Sequence, residues 1–503
     1  MSHNTHYFER SAGVLLPVSS LPSRYGIGDF GEKAREWIDF LHEAKQSYWQ
    51  ILPLNPPDDT GSPYQSVSAF AGSANYIDLD ALREDGLLND TDFSGIEWNH
   101  PDNRVRFEST LKLREQLVCK AYTRFDDKNS LDEFAINNRW FEYYALYMVI
   151  REARGGRSWV EWEESLRAGD TQALDGIREE YRSEIRRHAF IQYQFNKQWH
   201  SLREYANAKN IRIIGDIPIY ISLDSADAWS NPGLFRLNGS NCPDEVAGYP
   251  PDALSDYGQL WGNPVYDWDV IADTGFHWWI ERLRHNFTFY DVLRLDHFRG
   301  FESYYSIPYG SAPAAGRWIK GPGNAFIDAV KRAIPSGRFI AEDLGAPSDD
   351  VDKLLRYSGF PGMKVLQFAF DPLGDRDNRP YKYSPDTVVY PGTHDNDTVK
   401  GWAGNTPDLY IDHAMEYMDL HNRGDLPRGM IREAMRSGAD LAIIPFQDWL
   451  GSGNEARINT PSTVGPQNWS WRLENGSLSG ALAEEMAKMT VVYDRNRLQA
   501  SRE

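Results

Sequence analysis

Between positions 290 and 301 the sequence YDVLRLDHFRGF sets Arg294, Asp296, His297 and Arg299 into an otherwise apolar run. A short apolar run that turns polar at its end reads as a buried strand delivering charge at its C-terminus. Burying a carboxylate is costly unless cations or donors face it, and here Arg294 precedes Asp296 by two residues while Arg299 follows by three. Residues two apart in a strand share a face, so Arg294 is expected to hold Asp296 ionised, and an ionised, desolvated carboxylate is a nucleophile. Taken alone, the stretch reads more readily as a structural Asp–Arg pair at a strand end. The other strand ends decide.

Seven further apolar runs, at 12–19, 47–54, 211–220, 338–343, 362–370, 387–394 and 441–446, read as strands, and most are separated by helical patterns. Eight strands alternating with helices imply parallel βαβ units, and eight is the number that closes a (β/α)8 TIM barrel of the α/β class. Residues 1–503 read as a single catalytic barrel with two additions. Positions 82–210 carry helical spacing and little chemistry, a mostly helical insertion between the second and third strands; positions 222–269 read as a long, aromatic-rich irregular loop after the third strand, placed at the C-terminal face.

In such a barrel chemistry sits at the C-terminal strand ends, and the acids fall there: Asp216, Asp296 and Glu342 end the third, fourth and fifth strands, while Asp371 and Asp395 follow the sixth and seventh. Glu342 and Asp343 are neighbours, so one of them points into the barrel mouth, and Glu342 is the expected one. Two carboxylates flanking one bond are the machinery of glycosidic cleavage, and adjacent strands bring Asp296 and Glu342 close. Hard cations also take several carboxylates, which makes a metal site the lesser reading of the same acids. Against a metal, Arg and His stand beside them in LRLDHFRG and THDND and supply countercharge. No HxxH or CxxC zinc spacing and no GxxxxGK[ST] phosphate loop occurs, so no metal and no cofactor is expected.

Composition narrows the partners. Lys and Arg number 53 against 73 Asp and Glu, a net charge of −20, which argues against nucleic acid and anionic membrane. Two distant cysteines, Cys119 and Cys242, make no disulfide framework, and the opening MSHNTHYFER has no apolar signal core, so a cytoplasmic protein is expected. Seventeen Trp and 27 Tyr, many beside Gly, Pro, Asn or Asp, suit the flat faces of sugars.

From GVLLPVSSLPSRYGIGDFG through SPYQSVSAFAG, GDIPIY, GQLWGNPVYDW, RLDHFRGF, AEDLG, GTHDNDT and GNEARINTP to NWSWR, the chain resembles the 4-α-glucanotransferases (amylomaltases, or disproportionating enzymes) of the α-amylase clan. The resemblance implies Asp296 as nucleophile, Glu342 as general acid/base and Asp395 as transition-state stabiliser. It implies donor-side contacts by Tyr64, Asp216, Arg294, His394 and Asn468, and acceptor-side contacts by Trp261 and Asp371; Ser68, on the same loop as Tyr64, joins the substrate-binding candidates. The expected substrates are α-1,4-glucans and maltooligosaccharides, with glucose as an acceptor. One departure is Ala253-Leu254 after PPD, where relatives often carry aromatics.

Overall fold

The computed structural model describes residues 7–58, 60–98, 104–251, 257–372, 374 and 378–496. Ala253 and Leu254 lie outside the described residues. In chain order the strands are β1 (Ser11–Leu15), β2 (Tyr48–Gln50), β3 (Arg212–Ile217), β4 (Glu245–Tyr249), β5 (Gln259–Pro264) and β6 (Val292–Leu295). They continue as β7 (Ser303–Pro308), β8 (Arg317–Lys320), β9 (Phe339–Ala341), β10 (Gly362–Val365), β11 (Thr387–Tyr390) and β12 (Leu441–Pro445).

Eight of these form one parallel sheet in the order β10-β11-β12-β1-β2-β3-β6-β9, which places the last strand beside the first half of the chain and bends the sheet into a barrel. All eight strands expected from the sequence are present, each buried on both sides as Val- and Ile-rich parallel strands require. The gap between β9 and β10 is bridged by the amide of Ala341, which donates to the Pro361 carbonyl at 2.9 Å, and by the amide of Met363, which donates to Asp343 Oδ1 at 2.7 Å. The interior is filled by Leu15, Tyr48, Ile214, Val292, Ile340, Met363, Val388 and Ile443, with Phe8 packed edge-on to Tyr48. This is a filled barrel core and not a pore.

Several strands are shorter than their apolar runs. β2 stops at Gln50, three residues before Pro53, which has no amide to give a ladder, and the sixth barrel strand gives way to a 3-10 turn at Leu366–Phe368. Between β2 and β3 the described residues carry seven α-helices, ending in the 27-residue helix Arg182–Ala208 that feeds β3. Its Trp199 is fully buried and donates its indole N–H to the Phe289 carbonyl at 3.1 Å, tying that helix to the segment leading into β6.

The described part of 222–269 carries more regular structure than its sequence suggests. It contributes β4 and β5 to a four-stranded antiparallel sheet in the order β5-β4-β7-β8, whose other half is the hairpin following β6. Neither half shows a long alternating pattern, and the pairing joins segments far apart in sequence, which is why local periodicity does not reveal it.

Removing the Asp343 carboxylate leaves the Met363 amide unpaired where the barrel closes. Asp343→Ala should lower stability by about 1–3 kcal/mol, read as a drop in the denaturant midpoint. An unchanged midpoint would mean that closure does not depend on this bond.

Candidate active site

Parallel pairing sets the first contacts. β3 and β6 align Asp216 with Arg294, and β6 and β9 align Leu295 with Ala341, so the next residues, Asp296 and Glu342, emerge side by side at the C-terminal ends. Arg294 Nη1 lies 2.8 and 2.7 Å from the two oxygens of Asp216 and 2.9 Å from Asp296 Oδ1. Its side chain is 4% exposed and that of Asp216 is fully buried, so one guanidinium is clamped between two carboxylates away from water. Burial works against that charge, but Asp216 and Asp296 outweigh it and hold Arg294 ionised.

Glu342 sits differently. It is 8% exposed and accepts backbone amides on both oxygens, from His297 to Oε2 at 2.8 Å and from Leu344 to Oε1 at 2.9 Å. His297 can present its amide there because it adopts a left-handed conformation, φ +51°, a costly one for a side chain other than glycine. Burial pushes the Glu342 carboxyl up to about 7, against the pull of Arg294. Burial raises Asp296 as well, with Asp216, Glu342 and Asp395 adding repulsion. The two acids titrate as a unit. Asp296 touches Arg294 and keeps 26% of its side chain exposed, so it is the member that gives up its proton first, leaving the retained proton on Glu342. Asp343 turns to β10.

A second group gathers around the end of β11. Tyr64 donates its hydroxyl to Asp216 Oδ2 at 2.7 Å and lies 2.9 Å from His394 Nε2. His394 Nε2 also stands 3.3 Å from Asp395 Oδ2. Burial lowers His394, so its ring is neutral, and burial raises Tyr64, so it keeps its proton. The Asp395 side chain is 41% exposed, its Oδ1 accepts from Asn459 Nδ2 at 2.6 Å, and its carbonyl accepts from Arg457 Nη2 at 2.7 Å.

Seven of the expected residues, Tyr64, Asp216, Arg294, Asp296, Glu342, His394 and Asp395, thus form one contiguous polar cluster. Trp261, on β5, reaches it through His297, whose ring it meets edge-on at 4.9 Å. The remaining three are engaged elsewhere. Ser68 is buried and its hydroxyl accepts the amides of Phe70 and Ala71, both at 3.1 Å, capping its own loop. Asn468 spends its amide on Thr460 N at 3.1 Å and on the carbonyl and hydroxyl of Thr463 at 3.0 Å. Asp371 follows β10 in a turn whose carbonyl accepts from Arg379 at 2.8 Å.

Arg299 departs from expectation. It stacks over the Trp318 ring at 4.1 Å and donates to the Ala346 carbonyl at 2.7 Å, so the countercharge at the acids comes from Arg294. Three residues matter more than their sequence context suggests. His297 supplies the donor to Glu342, and Asn459 orients Asp395. Trp469, itself left-handed at φ +62°, places its ring 5.6 Å from Tyr64 and 6.1 Å from His394. Asn459 and Trp469 lie within the motifs GNEARINTP and NWSWR, but only backbone geometry shows what they touch.

Comparison with known proteins places the chain in a family. A family model described as 4-alpha-glucanotransferase matches residues 16–478. The 4-alpha-glucanotransferase of Streptococcus pneumoniae serotype 4 is 44% identical over 497 residues, spanning 97% of this chain and 98% of that protein. The enzyme of that name from Clostridium butyricum is 43% identical over 493 residues, covering 95% of this chain and all of the other. The amylomaltase from Streptococcus agalactiae, solved in complex with acarbose, superposes with a TM-score of 0.94 at 36% identity, over 97% of this chain and 100% of that one. With its barrel, its strand-end acids and this agreement across nearly the whole length, the chain belongs to the 4-alpha-glucanotransferase family.

Proposed function

We propose that the chain transfers segments of α-1,4-glucans to the 4-hydroxyl of an acceptor glucose or maltooligosaccharide by a retaining double displacement. The observation that carries this reading is the paired emergence of Asp296 and Glu342 from neighbouring strands, one salt-bridged to Arg294 and the other buried between backbone donors. Adjacent strands suit the separation of ~5–5.5 Å used by retaining enzymes.

Glu342 protonates the leaving glycosidic oxygen while Asp296 attacks the anomeric carbon through Oδ2, its Oδ1 being held by Arg294. The C–O bond to the leaving chain breaks as the ester to Asp296 forms, and the configuration inverts. Glu342, now a carboxylate, takes the proton of an acceptor hydroxyl, which displaces Asp296 from the opposite face, the one the leaving chain vacated, and restores the α-linkage. Asp395, steadied by Asn459, faces the sugar hydroxyls and the positive charge that develops on the ring. His394 supplies a donor beside it, Tyr64 packs against His394 with its hydroxyl given to Asp216, and Trp469 backs both rings. Among the three outliers, Ser68 and Asn468 act by shaping loops, and Asp371 stands toward the acceptor.

Transfer in place of hydrolysis requires an acceptor sugar to outcompete water at ~55 M, through the effective molarity of a preformed site. Trp261 and the small antiparallel sheet are the surface best placed to provide it. Among the described residues no helix is long and apolar enough to cross a membrane, and Cys119 and Cys242 are free thiols. The two free thiols and the net charge of −20 support a cytoplasmic location.

Incubating the purified protein with maltotriose should yield glucose and longer oligosaccharides while the number of reducing ends stays constant. Asp296→Asn should lower this activity by about four or more orders of magnitude. A steady rise in reducing ends would identify a hydrolase, and substantial transfer by Asp296→Asn would remove the nucleophile.

The acid form of Glu342 is the active one, so activity is lost as pH rises through its folded value. The kcat/KM for maltotriose should fall on an alkaline limb near the value of about 7. With an α-maltosyl fluoride donor, whose leaving group needs no proton, that limb should vanish. Its persistence would assign the limb to another group.

A further inference from the structure

Behind His394 a second polar group remains unused by the chemistry above. Gln447 and Asp448 follow β12 on the short helix Phe446–Leu450 and are 3% and 1% exposed. With Thr393, His394, Asp397 and Arg457 they line a narrow cleft that has room for about one water molecule. Asp448 Oδ1 accepts from the Val399 amide at 2.7 Å, and Gln447 Nε2 donates to the Ala456 carbonyl at 3.3 Å. Their other oxygens, Asp448 Oδ2 and Gln447 Oε1, are buried without a partner among the described residues, and so is His394 Nδ1. Buried polar atoms are nearly always paired, so three unpaired ones on residues of one cleft call for a common partner.

The hydrogens available determine what that partner does. Tyr64 has one hydroxyl hydrogen, and the Asp216 oxygen at 2.7 Å takes it, because Asp216 offers only acceptors to a guanidinium and a phenol. Toward His394 the Tyr64 oxygen is therefore an acceptor, as is Asp395 Oδ2 on the other side. Nε2 must carry the ring hydrogen, which leaves Nδ1 as a bare lone pair in need of a donor.

We infer that a water in this cleft donates to His394 Nδ1 and to Gln447 Oε1 or Asp448 Oδ2, which makes Gln447 and Asp448 positioning residues that hold His394 in its Nε2–H form. The opposite tautomer would aim a lone pair at two acceptors, Tyr64 and Asp395, and push Asp395 from its place. The chain Asp216, Tyr64, His394, water, Asp448 then runs from the Arg294 clamp to the far side of the barrel end.

The inference deepens the proposed transfer reaction and rests on it only for its activity readout. The tautomer is read directly from imidazole 15N shifts, with the His394 signal among twelve histidines assigned by its loss in His394→Gln. In the wild type, Nδ1 should appear as the bare nitrogen. Gln447→Leu and Asp448→Ala should move both nitrogens toward averaged positions and lower kcat about tenfold with KM changed less than about twofold. Asp448→Asn, which keeps the Val399 contact and a polar group on the cleft, should restore the wild-type signal. A protonated Nδ1 in the wild type, or an unmoved signal in the folded variants, would overturn the inference. Should Asp448→Ala not fold, Gln447→Leu decides by itself. A shifted signal in a protein that makes no transfer products would uphold the tautomer and refute the proposed function; active transfer with an unmoved signal would do the reverse.

Discussion

One guanidinium, Arg294, is shared between the fully buried Asp216 and the partly open Asp296, and the rest of the mouth is arranged around it. A buried ion pair is a poor source of stability, since desolvation cancels much of its attraction, whereas removing one partner leaves an uncompensated charge at a cost of about 3–5 kcal/mol. The cluster is better understood as a device that sets charge. Asp216 anchors the cation from the neighbouring strand, Tyr64 caps Asp216 from a loop, and the charge that remains is directed at Asp296. Strand register delivers all of this: Asp216 beside Arg294 and Asp296 two residues on.

The same neighbourhood gives two carboxyl groups different tasks. Asp296 has a cation and some water; Glu342 has neither water nor a direct cation, and its two amide donors come from His297 and Leu344. Separating the proton affinities of adjacent acids through their surroundings is how one site holds an acid and a base at the same pH. The left-handed backbone at His297 is part of that arrangement, because it turns the amide toward Glu342 while the ring packs between Trp261 and Tyr249. Burial lowers the ring to about 3, so it stays neutral and adds no second charge beside the nucleophile.

The barrel was legible because its strands are short apolar runs, five of them ending in or followed by an acid, a pattern that each run carries in its own local sequence. Asp296 and Glu342 stand out because a carboxylate that ends a short apolar run needs an explanation, and Asp395 because it sits in the polar crowd THDND just past one. The small sheet was not legible, because β4, which also pairs with β5, joins β7 across the residues between Tyr249 and Ser303 and no turn signal links those two strands. Ser68 and Asn468 show the limit of motif reading. Both stand in matching motifs, yet their side chains bond to their own loops, something that only hydrogen-bond geometry reveals. Arg299 shows the limit of spacing, since a 3-10 turn after β6 carries it away from the acids and onto Trp318. His297 and Trp469 act through backbone angles that side-chain identity does not announce.

The central claim is that Asp296 forms a glycosyl ester, and trapping that ester tests it most directly. Glu342→Gln incubated with α-maltosyl fluoride and no acceptor can complete the first displacement but lacks the base for the second. After an acid quench and proteolysis, mass spectrometry should find one maltosyl unit on the peptide bearing Asp296, discharged when an external nucleophile such as azide is added. A maltosyl group on the peptide of Asp216 or Asp395, or fluoride release with no adduct on any peptide, would contradict the account.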